Sequence, residues 1–173
     1  MKIRNVLLDT TMLFALLTGT AAADPKNGFS LNAAEVAHVR DCGGCTGSST
    51  SGFSVGMDYQ FAMSDTLSIN PFLMTSAETN KDTPGVLIRH GIVGAQLRYW
   101  AGNIFFGGHL GHYTETISDD RSSISGSGGG GGLVAGWERP DSGWYVMGQL
   151  DSGVGFDDVK LHAFRLGLGY RWK

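Results

Sequence analysis

The sequence predicts an all-β protein, an eight-stranded antiparallel up-and-down transmembrane β-barrel preceded by a cleaved signal peptide. Three observations predict it. The first is the segment Phe164 to Trp172, in which every even position is large and apolar or aromatic and every odd one is Gly or Arg. Successive strand residues point to opposite faces, so this segment has one greasy face and one of glycine and charge. The greasy face ends in Tyr170 and Trp172, ring types that favour the membrane–water interface. The second is the recurrence of such runs, eight in all, parted by alternately long and short breaks. The third is the N-terminus: Lys2 and Arg4, an apolar core from Met12 to Leu17, and the small residues Ala21-Ala22-Ala23 read as a secretory signal over residues 1–23. That apolar stretch is too short to span ~30 Å of hydrocarbon as a helix. Residues 24–173 then form the barrel domain. A secreted lipocalin-type barrel, with its apolar face inward, is the competing architecture.

The runs follow in order. The first, Gly28 to about Val39, sets Phe29, Leu31 and Ala33 against Ser30, Asn32 and Ala34, and its alternation blurs past Glu35. The second, Gly52 to Ala62, sets Phe53, Val55, Met57, Tyr59 and Phe61 against Ser54, Gly56, Asp58 and Gln60, and Ser64-Asp65 turns the chain. The third, Thr66 to Ala77, sets Leu67, Ile69, Pro71 and Leu73 against Ser68, Asn70 and Phe72; Pro71 costs it a ladder hydrogen bond. The fourth, Val86 to Trp100, opposes Val93, Ala95, Leu97 and Tyr99 to Gly94, Gln96 and Arg98. Ala101 to Asn103 turns into the fifth, Ile104 to Ile117, where Phe106, Gly108 and Leu110 oppose Gly107, His109, Gly111 and Tyr113. The sixth, Gly129 to Arg139, sets Leu133, Ala135 and Trp137 against Val134, Gly136 and Glu138. Pro140-Asp141-Ser142-Gly143 is a turn sequence, with proline fixing φ and glycine taking the strained position. The seventh, Trp144 to Gly155, opposes Trp144, Val146 and Leu150 to Tyr145, Met147, Gln149 and Asp151, and the eighth is the segment already described.

The longer, polar breaks are Asp41 to Ser51, Glu78 to Gly85 and Ser118 to Gly128. These are expected as outer loops, which puts both termini on the periplasmic side. The glycine run Gly126 to Gly132 lacks the Lys-Ser/Thr of a phosphate-binding loop and reads as part of a flexible outer loop. A turn centred on Ala101–Gly102 sets Leu97 opposite Phe106, and one on Asp141–Ser142 sets Trp137 opposite Val146, so the apolar faces join without a slip. Tyr59, Phe61, Tyr99, Trp100, Phe106, Trp137, Trp144, Tyr170 and Trp172 gather near the short turns, as an interfacial girdle would.

Signal cleavage removes Lys2, Arg4 and Asp9 and takes the formal net charge from −3 to −4. No basic stripe survives, so a nucleic-acid partner is not expected. The 27 glycines are spread through the alternating runs, which suggests close packing around a narrow interior. Cys42 and Cys45 are the only cysteines, and in an exported chain a local disulfide is expected. A redox motif would want a helix start after the first cysteine, haem attachment would need His at position 46, and zinc would need two more ligands nearby.

In this layout the mature chain resembles the small eight-stranded outer-membrane barrels of Gram-negative bacteria, of the OmpA transmembrane-domain and OmpX type. Leu166, Leu168, Tyr170 and Trp172 look like that family's C-terminal signal for the barrel-assembly machinery, although this chain adds Lys173 after the aromatic residue. The resemblance implies a monomer in the outer membrane, with membrane lipid and lipopolysaccharide around it and a host or surface ligand at its outer loops. It implies a non-enzymatic role in envelope integrity or adhesion.

The residues suggest three sites. Asp58, Gln60, Gln96, Arg98, Glu138, Gln149, Asp151, Arg165 and Arg171, with Glu35 and Asn70, are expected to line the lumen. Eight strands leave an interior just wide enough for side chains, so an ion-pair plug is expected over the alternative of a small pore. Four carboxylates and three arginines can supply one another there. His90, His109 and Tyr113 share the inner face while His112 points outward; carboxylates do not stand at ligand spacing, so no metal or other cofactor is expected. Centring the last hairpin near Asp157 sets Ser152 opposite His162 on the lipid-facing side near the outer rim. Some outer-membrane lipid A hydrolases place a Ser–His pair there, which makes such a hydrolase the second alternative. The pair lacks an evident acidic orienter and the His-x-Ser spacing of the known deacylases, so no catalytic residue is assigned.

Overall fold

The computed structural model describes residues 27–41, 49–80, 85–119, 121–154 and 160–172. The expected signal peptide and the Cys42–Cys45 bridge lie outside them. The described chain forms eight strands: β1 (Gly28–Asp41), β2 (Ser49–Ala62), β3 (Leu67–Asn80), β4 (Leu87–Ala101), β5 (Ile104–Ser118), β6 (Ser123–Glu138), β7 (Trp144–Val154) and β8 (Lys160–Trp172). Each pairs antiparallel with its sequence neighbours, and β1 closes on β8 from Phe29 opposite Trp172 to Asp41 opposite Lys160. Every strand foreseen from alternation is present.

Alternation decides which side each residue takes. Leu110, Leu133 and Leu168 are 76%, 65% and 57% exposed on the outside, while Arg98 and Arg165 are each 1% exposed inside. This is the reverse of a lipocalin: the apolar face points out and the charge points in. A continuous belt of this kind needs lipid around it, and a closed barrel satisfies the backbone of all its strands within the membrane. The barrel is transmembrane.

Several details depart from the sequence reading. Glu35 faces outward, opposite Phe53 and Leu166, because it shares the parity of Phe29 and Leu31. Trp100 takes the parity of Arg98 and lies inside, with its indole Nε1 donating to Ser68 Oγ at 3.1 Å, so it leaves the expected girdle. The β4–β5 turn centres on Gly102–Asn103, setting Tyr99 opposite Phe106 and Leu97 opposite Gly108. Gly102 takes φ 63° at the first central position, which suits the twist of a two-residue hairpin. Pro71 sits within β3, and the β2–β3 ladder skips Tyr59 and Gln60 beside it, as a residue without an N–H requires. In the Pro140–Gly143 turn the left-handed region is taken by Asp141 as well as Gly143, with φ 60° and 76°.

The largest departure is the glycine run. It is strand, not loop: Gly126 to Gly132 pair with Glu115 to His109 along β5. The connection shrinks to 119–122, where Asp119 Oδ1 accepts from the backbone N–H groups of Arg121 and Ser122 at 2.8 and 2.7 Å. Those two donors, with the Ser122 hydroxyl, hold the Asp119 carboxyl below its ordinary range. The β5–β6 hairpin thus rises beyond the Gly130–Gly153 pair at which the β6–β7 ladder begins.

Some glycines make room for rings in the lumen. A Cβ at Gly169 would come within 2.6 Å of Tyr145 Cε1, and one at Gly136 within 2.7 Å of Phe105 Cε1. Phe105 and Tyr145, 0% and 1% exposed, belong with Phe72, Met74, Ile92 and Met147 to an apolar cluster inside the barrel. Gly136→Ala is therefore expected to cost about 1–3 kcal/mol of overpacking. Urea unfolding in micelles, followed by tryptophan fluorescence, measures the loss; an unchanged midpoint would show that the lumen has slack there.

Candidate functional site

Of the eleven polar residues expected to line the lumen, Glu35 alone faces outward, and ten are there and buried. They form three ion pairs. Toward the short-turn end, Arg171 pairs with Glu138, donates from Nε to Ser30 Oγ at 3.1 Å and lies over the Trp100 and Tyr145 rings, each at 5.4 Å. Arg98 Nη2 stands 3.5 Å from Asp58 Oδ2, and its Nε donates to Gln96 Oε1 at 2.9 Å. Asp58 also accepts from Asn70 Nδ2 at 2.8 Å. Higher in the lumen Arg165 pairs with Asp151, which accepts from Gln149 Nε2 at 2.8 Å and Tyr113 OH at 3.3 Å. His109 Nε2 lies 2.8 Å from the same carboxylate. With Glu35 outside, these carboxylates and arginines match one to one. Buried charges are tolerated when paired and hydrogen-bonded in this way.

Above them stands a cluster that the sequence reading missed. Hydropathy puts Glu78 in an outer loop, but β3 runs on to Asn80 and turns Glu78 inward. Its Oε2 lies 2.6 Å from His38 Nδ1 and 2.7 Å from Thr50 Oγ1; its Oε1 lies 3.0 Å from His90 Nδ1 and 2.6 Å from Ser76 Oγ. His90 Nε2 reaches Glu115 Oε1 at 3.1 Å. The His38 and His90 rings stack at 4.1 Å. Carboxylates therefore do meet these histidines, contrary to the spacing argument, because β1, β3, β4 and β5 bring distant segments to one level. The ligand atoms of His38, Glu78 and His90 lie within 4.8 Å of one another, so these residues could hold a metal ion. The signal was present: His38 has the parity of Ser30, Glu78 that of Asn70, and Glu115 that of Tyr113.

On the outside, Ser152 is opposite His162, as the hairpin register predicted. Both are exposed beside a groove of about 500 Å³, with Val39, Leu150 and Phe164. The described hydrogen bonds do not join the pair. Glu35, an outward carboxylate on the adjacent β1, lies four residues from Val39, the partner of His162. At ~3.3 Å per residue that is about 13 Å, too far to orient the imidazole. Leu166, Leu168, Tyr170 and Trp172 share the outer face of β8. Trp172 stacks on Phe29 at 5.8 Å, and Tyr170 meets Trp144 edge-on at 5.2 Å.

No family model matches the chain, and no curated protein matches it in sequence. Solved structures do match its fold. Ail, the attachment invasion locus protein of Yersinia pestis, is 18% identical with a TM-score of 0.60, over 85% of this chain and 99% of that one. Neisserial surface protein A is 12% identical with a TM-score of 0.59, over 83% of this chain and 97% of that one. A second Ail structure, bound to the heparin analogue sucrose octasulfate, is 17% identical with a TM-score of 0.57, over 85% and 99% of the two chains. The fold is that of the small outer-membrane barrels, and the lipid-facing belt is that of a membrane-spanning one.

Removing one partner of a buried pair strands the other. Asp151→Ala is expected to cost about 3–5 kcal/mol by leaving the Arg165 guanidinium without its carboxylate. Asp151→Leu combined with Arg165→Met is expected to recover most of that loss. Urea titration of the variants in micelles checks both; a double variant no more stable than Asp151→Ala would show that the pair does not act as a unit.

Proposed function

We propose that the protein is a monomeric, non-enzymatic outer-membrane barrel that acts at the cell surface through its outer loops, in adhesion or envelope integrity. The observation that carries this reading is the filled interior. Three ion pairs, a ring cluster and the histidine–glutamate group occupy the lumen, so what remains accessible is the outer rim. A plug of this kind argues against a pore, and the unconnected Ser152 and His162 argue against a lipid A hydrolase. The likeness to an attachment invasion locus protein fits a surface role.

The chemistry of the rim favours a particular kind of ligand. Between the strands on the outer side, the connections carry Asp82, Asp119, Asp120, Asp157 and Asp158 against Lys81 and Arg121. These connections, five aspartates to two cations, suit a neutral or basic partner better than a sulphated polyanion of the kind seen with Ail, with Arg89 and Lys160 exposed at the adjoining strand ends. Cys42 and Cys45 would shape the tip of the first outer loop as a disulfide; so small a ring constrains little chain entropy and leaves barrel stability nearly unchanged. Leu166, Leu168, Tyr170 and Trp172 would be read by the barrel-assembly machinery as the terminal strand is delivered.

Displayed on a non-adherent laboratory Gram-negative strain, the protein is expected to raise adherence to cultured cells several-fold. Replacing residues 119–122 and 155–159 with Gly-Ser linkers is expected to abolish the gain while the heat-shifted gel mobility of the barrel persists. Stable single-channel conductance in planar bilayers, or lipid A deacylation lost in Ser152→Ala, would overturn the proposal. For the loop tip, thiol labelling of intact cells is expected only after reduction.

A further inference from the structure

The cluster around Glu78 has an unusual proton count. A neutral imidazole carries one N–H. His90 presents Nδ1 to Glu78 at 3.0 Å and Nε2 to Glu115 at 3.1 Å, so a carboxylate oxygen stands at each ring nitrogen. His38 also directs Nδ1 at Glu78, at 2.6 Å. Satisfying both His90 contacts with protons alone needs one proton more than a neutral ring and two carboxylates carry, beside a second imidazole stacked at 4.1 Å. A cation at the Nδ1 edges resolves the same geometry differently. It takes a lone pair from each ring and an oxygen from Glu78, and leaves His90 free to donate Nε2–H to Glu115. The nearby Arg165 is already engaged with Asp151.

We propose that His38 Nδ1, His90 Nδ1 and the Glu78 carboxylate bind a divalent transition-metal ion of the zinc class, with Glu115 as the positioning residue for His90. Two imidazoles and a carboxylate form a ligand set that zinc accepts, with a water completing the tetrahedron. Bonds of ~2.0–2.1 Å to nitrogen imply ligand separations of about 3.3 Å, against present spacings from Glu78 of 3.0 Å to His90 Nδ1 and 2.6 Å to His38 Nδ1. A small turn of Glu78 supplies the difference. The hydroxyls of Thr50 and Ser76 already hydrogen-bond this carboxylate, and a ligating histidine commonly gives its other N–H to a carboxylate, as His90 does to Glu115.

Position supports access. Along β4 the outward apolar run ends at Val93, and His90 lies beyond it toward the outer rim; along β3 and β5, Glu78 and Glu115 likewise lie beyond Leu73 and Leu110. An ion reaching the site comes from the outer medium and ties β1, β3 and β4 together across the lumen. The site is independent of the adhesion proposal.

The test uses the full mature chain, refolded in detergent micelles and stripped of metal. Calorimetric titration with Zn²⁺ is expected to show one ion per chain at micromolar affinity or tighter, and Co²⁺ is expected to give the intense visible bands of tetrahedral coordination. His38→Ala, His90→Ala and Glu78→Gln should each weaken binding at least tenfold. Glu115→Gln should weaken it by about 10–100-fold while the tetrahedral Co²⁺ bands persist. The His112→Ala/His162→Ala double variant, altered only on the outer face, should bind as wild type. Heat-shifted mobility reports folding of every variant, and Glu78→Gln serves should a histidine variant not fold. Absence of stoichiometric binding by the folded wild type, or loss of binding in His112→Ala/His162→Ala alone, would overturn the proposal.

Discussion

Closure of the backbone ladder in lipid is the constraint on which this structure depends. No water is available in the hydrocarbon to satisfy a free N–H or C=O, so the eight strands must bond around a full circle. Once the register from Phe29–Trp172 to Asp41–Lys160 closes the ring, the side of every residue is fixed by parity. A slip by one residue would send Arg165 and Arg171 into lipid and Leu166 and Leu168 into the lumen. Register and sidedness are therefore one decision, made jointly by all eight strands.

Closure at eight strands also sets how much the interior must hold. The ring is wide enough for side chains and little else, so polar groups sent inward must find partners among themselves. Arg171 with Glu138 and Arg98 with Asp58 do so across one intervening strand, and Arg165 with Asp151 does so between the neighbours β7 and β8. Charge alone does not fill the space. Phe105, Tyr145 and Trp100 occupy the gaps, and Gly136 and Gly169 are bare because a ring already lies against them. Glycine abundance, read from sequence as close packing, is thus the complement of the aromatic residues inside.

Parity was the legible part of the sequence, and it gave strand number, topology, sidedness and ten of the eleven polar residues expected in the lumen. Distances along the chain were less legible. Ser152 met His162 because a five-residue connection leaves little choice of register, whereas the β4–β5 turn sat one residue later than expected because Gly102, not Ala101, can take φ 63°. Strand ends were the weakest point. Polar residues such as Glu78 and Ser123 resemble loop when counted by hydropathy, yet above the lipid belt a strand has no reason to be apolar outside. The glycine run failed for the same reason: without side chains it shows no alternation, and only pairing with the whole of β5 reveals it as strand. Glu35 was misplaced by its charge, although its position in the alternation was plain.

The histidine–glutamate cluster lies in the region that hydropathy could not read, and the physics of height along the barrel explains why. Low in the barrel the outside must be apolar and the inside must be polar or ring-filled, so each strand carries a strong two-residue rhythm. Beyond the belt both faces meet polar surroundings, and the rhythm fades although the fold continues. Composition there is free to serve something other than membrane insertion. On β3 the residues Ser76 and Glu78 still turn inward, and with His38, Thr50 and His90 they converge on one point from four strands. Such convergence of hydrogen-bonding groups exceeds what closing the barrel requires, since β5 and β6 continue to pair above this level, from Thr116 opposite Ser125 to Ser118 opposite Ser123, with no comparable cluster among the described residues. The upper lumen is therefore where residue choice is least explained by the fold and most open to a chemical role.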